Sequence, residues 1–205
     1  MLSQTYMQIA YLIAKNSKCV SWKVGALIEK DGRIISTGFN GTPAGQENCS
    51  CHAHKSGWLD DDGNMIPEKR PEHSAWSHKN EIHAELNAIL FAARSGVSIE
   101  GASMWCTASP CPDCAKAIAN SGIKHIYYCD TYDRNGGRDW ADILDKADIT
   151  VTRRGFNIEI EPAPVMPFSD ERRSVYVIMS NDHGVNTFNV KQYSDGSVEY
   201  FRVYG

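Results

Sequence analysis

The chain has no apolar run approaching the roughly 18 residues of a membrane span, and its start, Met1-Leu2-Ser3-Gln4, lacks the basic segment, apolar stretch and cleavage site of a secretory signal. Cytoplasmic residence is the expectation. A broad basic field is also missing: Lys and Arg number 21 against 25 Asp and Glu, for a net charge of −4 and a pI near 6.0. That balance argues against a protein that grips nucleic acid electrostatically and suits a small anionic substrate better. Seven cysteines are present, an odd number. With no leader and with histidines clustered beside them, they point to a reducing compartment and metal ligation rather than disulfides. At 205 residues with 42% hydrophobic and 22% charged content, the chain can bury a substantial core unaided.

What is present is concentrated between His83-Ala84-Glu85 and Cys111-Pro112-Asp113-Cys114. His83, Cys111 and Cys114 supply three zinc ligands, the number that leaves a catalytic zinc one position for water. Glu85 is then free to move protons. H-x-E followed by P-C-x-x-C is the pattern of zinc nucleobase deaminases, in which activated water attacks the amino-bearing carbon and the glutamate is general acid and base. The competing reading is a four-ligand structural knuckle that recruits another cysteine. Residues two apart do not share a helix face, so His83 and Glu85 can address one metal only if it lies off a helix N-terminus with His83 in the first turn or cap.

The rest of the pattern surrounds this pair. Thr5 to Ser17 has helical spacing; Val24 to Glu29 and Arg33 to Phe39 read as strands joined at Asp31-Gly32, a strong hairpin signal. Gly38 to Pro43 is turn-rich and carries Asn40, whose amide suits a sugar hydroxyl or a base edge, although a turn asparagine is the plainer reading. Gln46 to Lys79 reads as an insertion with little core of its own and with Cys49, Cys51, His52, His54, His73 and His78. A second, structural metal would fix it. Cys19, Cys49, His73 and Glu81 are the chosen ligands, with Cys51 and the other histidines as substitutes. Glu81 to Ser95 reads as a half-buried helix in which Arg94 is by default a surface arginine. Pro112 and Gly122 bracket another, which places Cys111 and Cys114 where helix-start N–H groups favour thiolates. Cys106 and Cys129 read as core thiols.

Strand and helix alternate after residue 95, which implies parallel neighbours and a site at the strand ends. Tyr132, in the loop after the strand His125 to Cys129, could close over a base or be an ordinary loop tyrosine. Residues 155–173 read as a proline-rich linker and 174–205 as a small β-rich extension without a constellation that carries chemistry.

In Gln8 to Leu12, Ser21 to Ala26, Ile34 to Gly45, Asn80 to Arg94 and Pro110 to Ile123, the sequence resembles the deoxycytidylate (dCMP) deaminase family, in particular its T-even-type bacteriophage members. The likeness spans about residues 1–153, with a shorter insertion and no counterpart for the tail from Gly155. It implies a three-layer α/β/α cytidine-deaminase-like fold with a mixed five-stranded sheet in a domain of residues 1–154. It implies a catalytic zinc on His83, Cys111 and Cys114, Glu85 as proton shuttle, and a structural zinc on Cys19, Cys49, His73 and Glu81. Hydrolysis of dCMP to dUMP for thymidylate synthesis, activation by dCTP, inhibition by dTTP and a hexameric assembly follow from it, in a host cytoplasm if the gene is a phage's. Asn40 and Arg94 match substrate and subunit-organising positions; Ser109 and Tyr132 join them as substrate contacts, and Lys23 is proposed to meet the phosphate because its charge must be neutralised. Rival readings are a polynucleotide or nucleoside cytosine deaminase, a tRNA adenosine deaminase, and a noncatalytic zinc-organised binding module.

Overall fold

The computed structural model of the protein describes residues 2–131 and 139–154, with the backbone of three further strands at 175–181, 184–192 and 198–203. Two compact units are separated at Gly155 and Phe156. Tyr132 and the whole of the linker at 155–173 fall outside the described residues. No described helix is long and apolar enough to cross a membrane.

The first unit begins with helix α1, Leu2–Ala14, and the hairpin β1, Gly25–Lys30, and β2, Arg33–Phe39. Asp31 and Gly32 both take positive φ, 52° and 77°, as a two-residue type I′ turn demands. After α2 (Cys49–Lys55), a short 3-10 turn at Pro67–Lys69 and α3 (Arg70–Asn80) come α4 (Ala84–Arg94), β3 (Ser103–Ala108), α5 (Pro112–Ala119), β4 (His125–Asp130), α6 (Asp139–Lys146) and β5 (Thr150–Arg153). The sheet order is β2-β1-β3-β4-β5. Its β1 edges are antiparallel, while β3, β4 and β5 run parallel. This is the mixed α/β sheet that the sequence led us to expect.

The strand period of two sorts side chains between layers. Ala26, Ile28, Met104, Cys106, Ile126 and Tyr128 share a buried cluster with α4, α5 and α6. On the other face Tyr6 of α1 packs on Trp105, their ring centroids 5.5 Å apart, and Trp105 stacks on Tyr127 at 4.0 Å. Helices on both faces bury the parallel strands, as such strands require. Close approach is built in at Gly38 on β2: a Cβ there would stand 2.3 Å from the Ala84 carbonyl oxygen and 2.5 Å from the Ala88 nitrogen, so α4 lies directly on the strand backbone.

The insertion departs from expectation. It contains two helices, and Ala53 and Trp58 are buried within it. Trp58 meets His73 edge-on at 5.7 Å, and His52 stacks on Trp76 at 4.6 Å. A few aromatic rings thus supply a small core that apolar periodicity does not reveal, because half of each contact is a histidine. In the second unit, β6 (Val175–Asn181), β7 (Gly184–Gln192) and β8 (Val198–Val203) form an antiparallel sheet in sequence order.

Candidate active site

Two helix starts converge. His83 is the N-cap of α4, with extended backbone at φ −69° and ψ 156°, which turns its imidazole off the end of the helix while Glu85 sits in the first turn. Cys111 is the N-cap of α5, followed by Pro112 at the start of the helix, where proline's fixed φ is an asset. The Cys111 Sγ accepts the Cys114 N–H at 3.4 Å. His83 Nδ1 lies 3.3 Å from Cys111 Sγ and 3.4 Å from Cys114 Sγ.

A single ring nitrogen has one proton or one lone pair and cannot satisfy two thiols. Bonds of about 2.0 Å to nitrogen and 2.3 Å to sulfur in a tetrahedron would instead set nitrogen and sulfur roughly 3.5 Å apart. The donor set therefore fits a zinc ion with one position left over. Hydrogen bonding from Cys114, reinforced by His83, draws the Cys111 thiol down to about 4, against the effect of burial. Its hydrogen bond to Cys111 raises His83 to about 9. Glu85, 4% exposed, has its carboxyl pushed up by burial and partly drawn back by His83. A carboxyl whose hold on a proton is strengthened in this way is better suited to accept one and pass it on.

The adjoining cavity is lined by Trp22, Val24, Asn40, Ser77 and Ser109 together with Glu85. Asn40 is buried, and its amide is engaged on both sides: Oδ1 accepts the Val24 N–H at 2.8 Å and Nδ2 donates to the Trp22 carbonyl at 2.9 Å. The expected sugar contact is thus also the fastener of the Trp22–Val24 wall. Ser109 is buried, and its N–H donates to the Asp130 carbonyl at 2.8 Å. Lys23 is exposed between two lining residues and does not itself line the cavity. Arg94 does not line the cavity of its own chain. It is the exposed last residue of α4, roughly 14 Å along the axis from Glu85 at about 1.5 Å per residue.

Trp22, Val24 and Ser77 were not singled out by sequence reasoning. The first two lie inside the Ser21 to Ala26 stretch that carried the family likeness; Ser77 gave no signal beyond standing one turn before Glu81.

A second cluster brings together donors from Cys19, Cys49, His73 and Glu81, all within 4.8 Å of one another. His73 Nε2 is 3.3 Å from Cys49 Sγ and 3.6 Å from Cys19 Sγ. Ser77 Oγ donates to Glu81 Oε2 at 2.5 Å, whereas Glu81 Oε1 is buried with no hydrogen-bond partner. Such a stranded oxygen beside two thiols fits a metal ligand. The substitute ligand Cys51 is exposed, and it lies outside this group, as do His52, His54 and His78.

A mixed sheet with three candidate metal donors at two helix starts and a glutamate beside them is an arrangement that suits a zinc hydrolase. The cytidine and deoxycytidylate deaminase zinc-binding region matches residues 2–130, and the chain belongs to that family. It is 56% identical over 172 residues to the deoxycytidylate deaminase of Enterobacteria phage T4, covering 74% of this chain and 89% of the relative. The corresponding enzyme of phage T2 is likewise 56% identical, with 74% and 91% covered. Among solved structures, the dCMP deaminase of cyanophage S-TIM5 in complex with dCMP and dUMP superposes with a TM-score of 0.57 at 35% identity, over 75% of this chain and 96% of that one.

Proposed function

We propose that the protein hydrolyses dCMP to dUMP and ammonia. The observation that carries this reading is the placement of Glu85, buried and two residues from His83, on a cavity shared with His83 and Cys111. Zinc held by His83, Cys111 and Cys114 would supply a water acidified to a pKa of about 7. Glu85 accepts one proton of the attacking water and hands it to N3 of the cytosine; it then takes the proton remaining on the new C4 hydroxyl and passes it to the 4-amino group, so that C4=O forms as the C4–N bond breaks and ammonia leaves. Water is consumed and ammonia released, so the balance needs no other reactant. The Trp22–Val24 wall, fastened by Asn40, orients the nucleotide. Lys23, exposed beside that wall, is the proposed partner of its phosphate, Tyr132 the group that closes over the base, and Ser109 a further contact.

The same reading includes a structural zinc on Cys19, Cys49, His73 and Glu81, residence in the cytoplasm, provision of dUMP for thymidylate synthesis, activation by dCTP and inhibition by dTTP. It also includes assembly into a homo-oligomer, a hexamer by family likeness, with Arg94 in subunit organisation. Support for assembly comes from Leu90 and Phe91, 47% and 51% exposed on the helix that ends at Arg94. A net charge of −4 speaks against a polynucleotide substrate.

Purified zinc-loaded protein given dCMP, deoxycytidine or a cytosine-containing single strand, each with and without dCTP, decides the matter by ammonia release. Turnover of dCMP alone, raised by dCTP, is expected. Activity confined to the strand would overturn the nucleotide reading, and silence on all three with zinc retained would leave a binding module.

A further inference from the structure

The second cluster is joined to the catalytic cavity by hydrogen bonds that bypass the catalytic ligands. Ser17, 1% exposed, accepts the Cys19 N–H on its Oγ at 3.2 Å and donates the same hydroxyl to the Asn40 carbonyl at 2.8 Å. Asn40 in turn holds Val24 and Trp22 through its amide, and its own N–H donates to the Val24 carbonyl at 3.2 Å. From a donor of the second cluster to the substrate wall there is thus one side chain, Ser17, and one residue beyond it.

Other connections run beside this one. Ile82 separates Glu81 from His83 and is fixed to Gly41, the neighbour of Asn40, by a reciprocal pair of backbone bonds of 2.8 and 3.1 Å. Cys19, His73 and Ser77 line the same cavity as Glu85. The four donors of the cluster come from α1's following loop, α2, α3 and the turn before α4. Without a cation, the buried and unpartnered Glu81 Oε1 and two crowded thiols have little reason to stay together.

We propose that Ser17 is a positioning residue through which the filled second cluster sets the Asn40 and Trp22–Val24 wall of the catalytic cavity. The hydroxyl converts the fixed place of Cys19 into a fixed place for the Asn40 backbone, and so tunes nucleotide capture and not the proton transfers of Glu85. The part of this inference that concerns nucleotide rests on the proposed dCMP reaction; the part that concerns the wall rests on geometry alone.

Amide hydrogen exchange of the full zinc-loaded chain, followed by mass spectrometry, separates the two. Cys49→Ala removes a cluster donor that does not line the cavity. In it, exchange should quicken by about tenfold in peptides covering 22–26 and 39–42 as well as in α2 and α3. Acceleration that stops at α2 and α3 would overturn the proposal. Should Cys49→Ala not fold, Cys49→Ser, a weaker ligand of similar size, reads the same peptides.

Ser17→Ala should keep two zincs by elemental analysis and leave α2 and α3 unchanged while the wall peptides exchange faster. Its KM for dCMP should rise about tenfold with kcat within about threefold, the split expected when binding and not chemistry is lost. A fall in kcat with KM unmoved would overturn the proposal, as would wall exchange like that of the wild type. Absence of dCMP turnover in the wild type would sink the substrate reading instead, and the exchange of Cys49→Ala would still decide the coupling.

Discussion

Tyr11 of α1 donates its hydroxyl to Asp130 Oδ2 at 2.9 Å, joining residues 119 positions apart. Asp130 ends β4 and its carbonyl receives the Ser109 N–H, so the first helix is tied to the rim of the strand that supports the cysteine loop. Burial, then Cys129 and Asp130, push the Tyr11 phenol far above its usual range. The unfolded phenol ionises near 10. Below that pH both states keep the proton and this group contributes no pH dependence; above it the unfolded chain sheds a proton that the folded one retains, so stability falls as pH rises. Tyr11→Phe should cost about 1.5 kcal/mol at pH 7 through the lost hydrogen bond to a charged group, and should flatten the alkaline decline. Denaturant titrations at pH 7 and pH 11 check it; a mutant whose loss is equal at both would remove Tyr11 as the source.

Glu85→Gln keeps the shape and the hydrogen-bonding capacity of the side chain and removes its proton traffic. Zinc content should stay at the wild-type value while kcat falls by at least about 100-fold, the lower end of what a positioned acid-base group contributes. Near-normal turnover in a zinc-loaded sample would take the shuttle away from Glu85.

Metal counting addresses the second cluster. Wild type should carry two zincs per chain, and Cys19→Ala one, with a lowered melting temperature because structural zinc contributes folding free energy directly. An unchanged stoichiometry would reject Cys19 as a ligand.

Assembly is tested on the outside of α4. Phe91 is 51% exposed, so Phe91→Asp should leave the fold of a lone protomer intact, yet it places a charge in the proposed contact. Sedimentation should show smaller species than the wild type. An unchanged mass distribution would exclude this face from the assembly.

How much of this was legible in the sequence differs from element to element. The His83, Glu85, Cys111 and Cys114 constellation could be read because each ligand stands at a helix start, where capping chemistry leaves marks in short stretches of chain such as Pro112. Strands and the Asp31-Gly32 turn were legible for the same local reason. The insertion was not: Trp58, His73, His52 and Trp76 pack ring on ring without helical apolar spacing. Nor could spacing tell that both ends of the Asn40 amide are engaged with backbone, since Trp22 and Val24 reach it through tertiary folding. Arg94 shows the converse: only likeness to a family supplied a role for it, because nothing in its local sequence distinguishes it from any exposed arginine in the last turn of an 11-residue helix.

The missing side chain at Gly38 bears on the metal centre. Even one carbon there would have to retreat from 2.3 Å to at least 3.0 Å from the Ala84 carbonyl oxygen, and Ala84 is the residue between His83 and Glu85. Metal coordination accepts deviations of only about 0.2 Å in its bonds. The cysteine pair is carried by α5 and His83 by α4, so an ion held between the two helix starts would act as a gauge whose tolerance is finer than the smallest side chain the strand could grow.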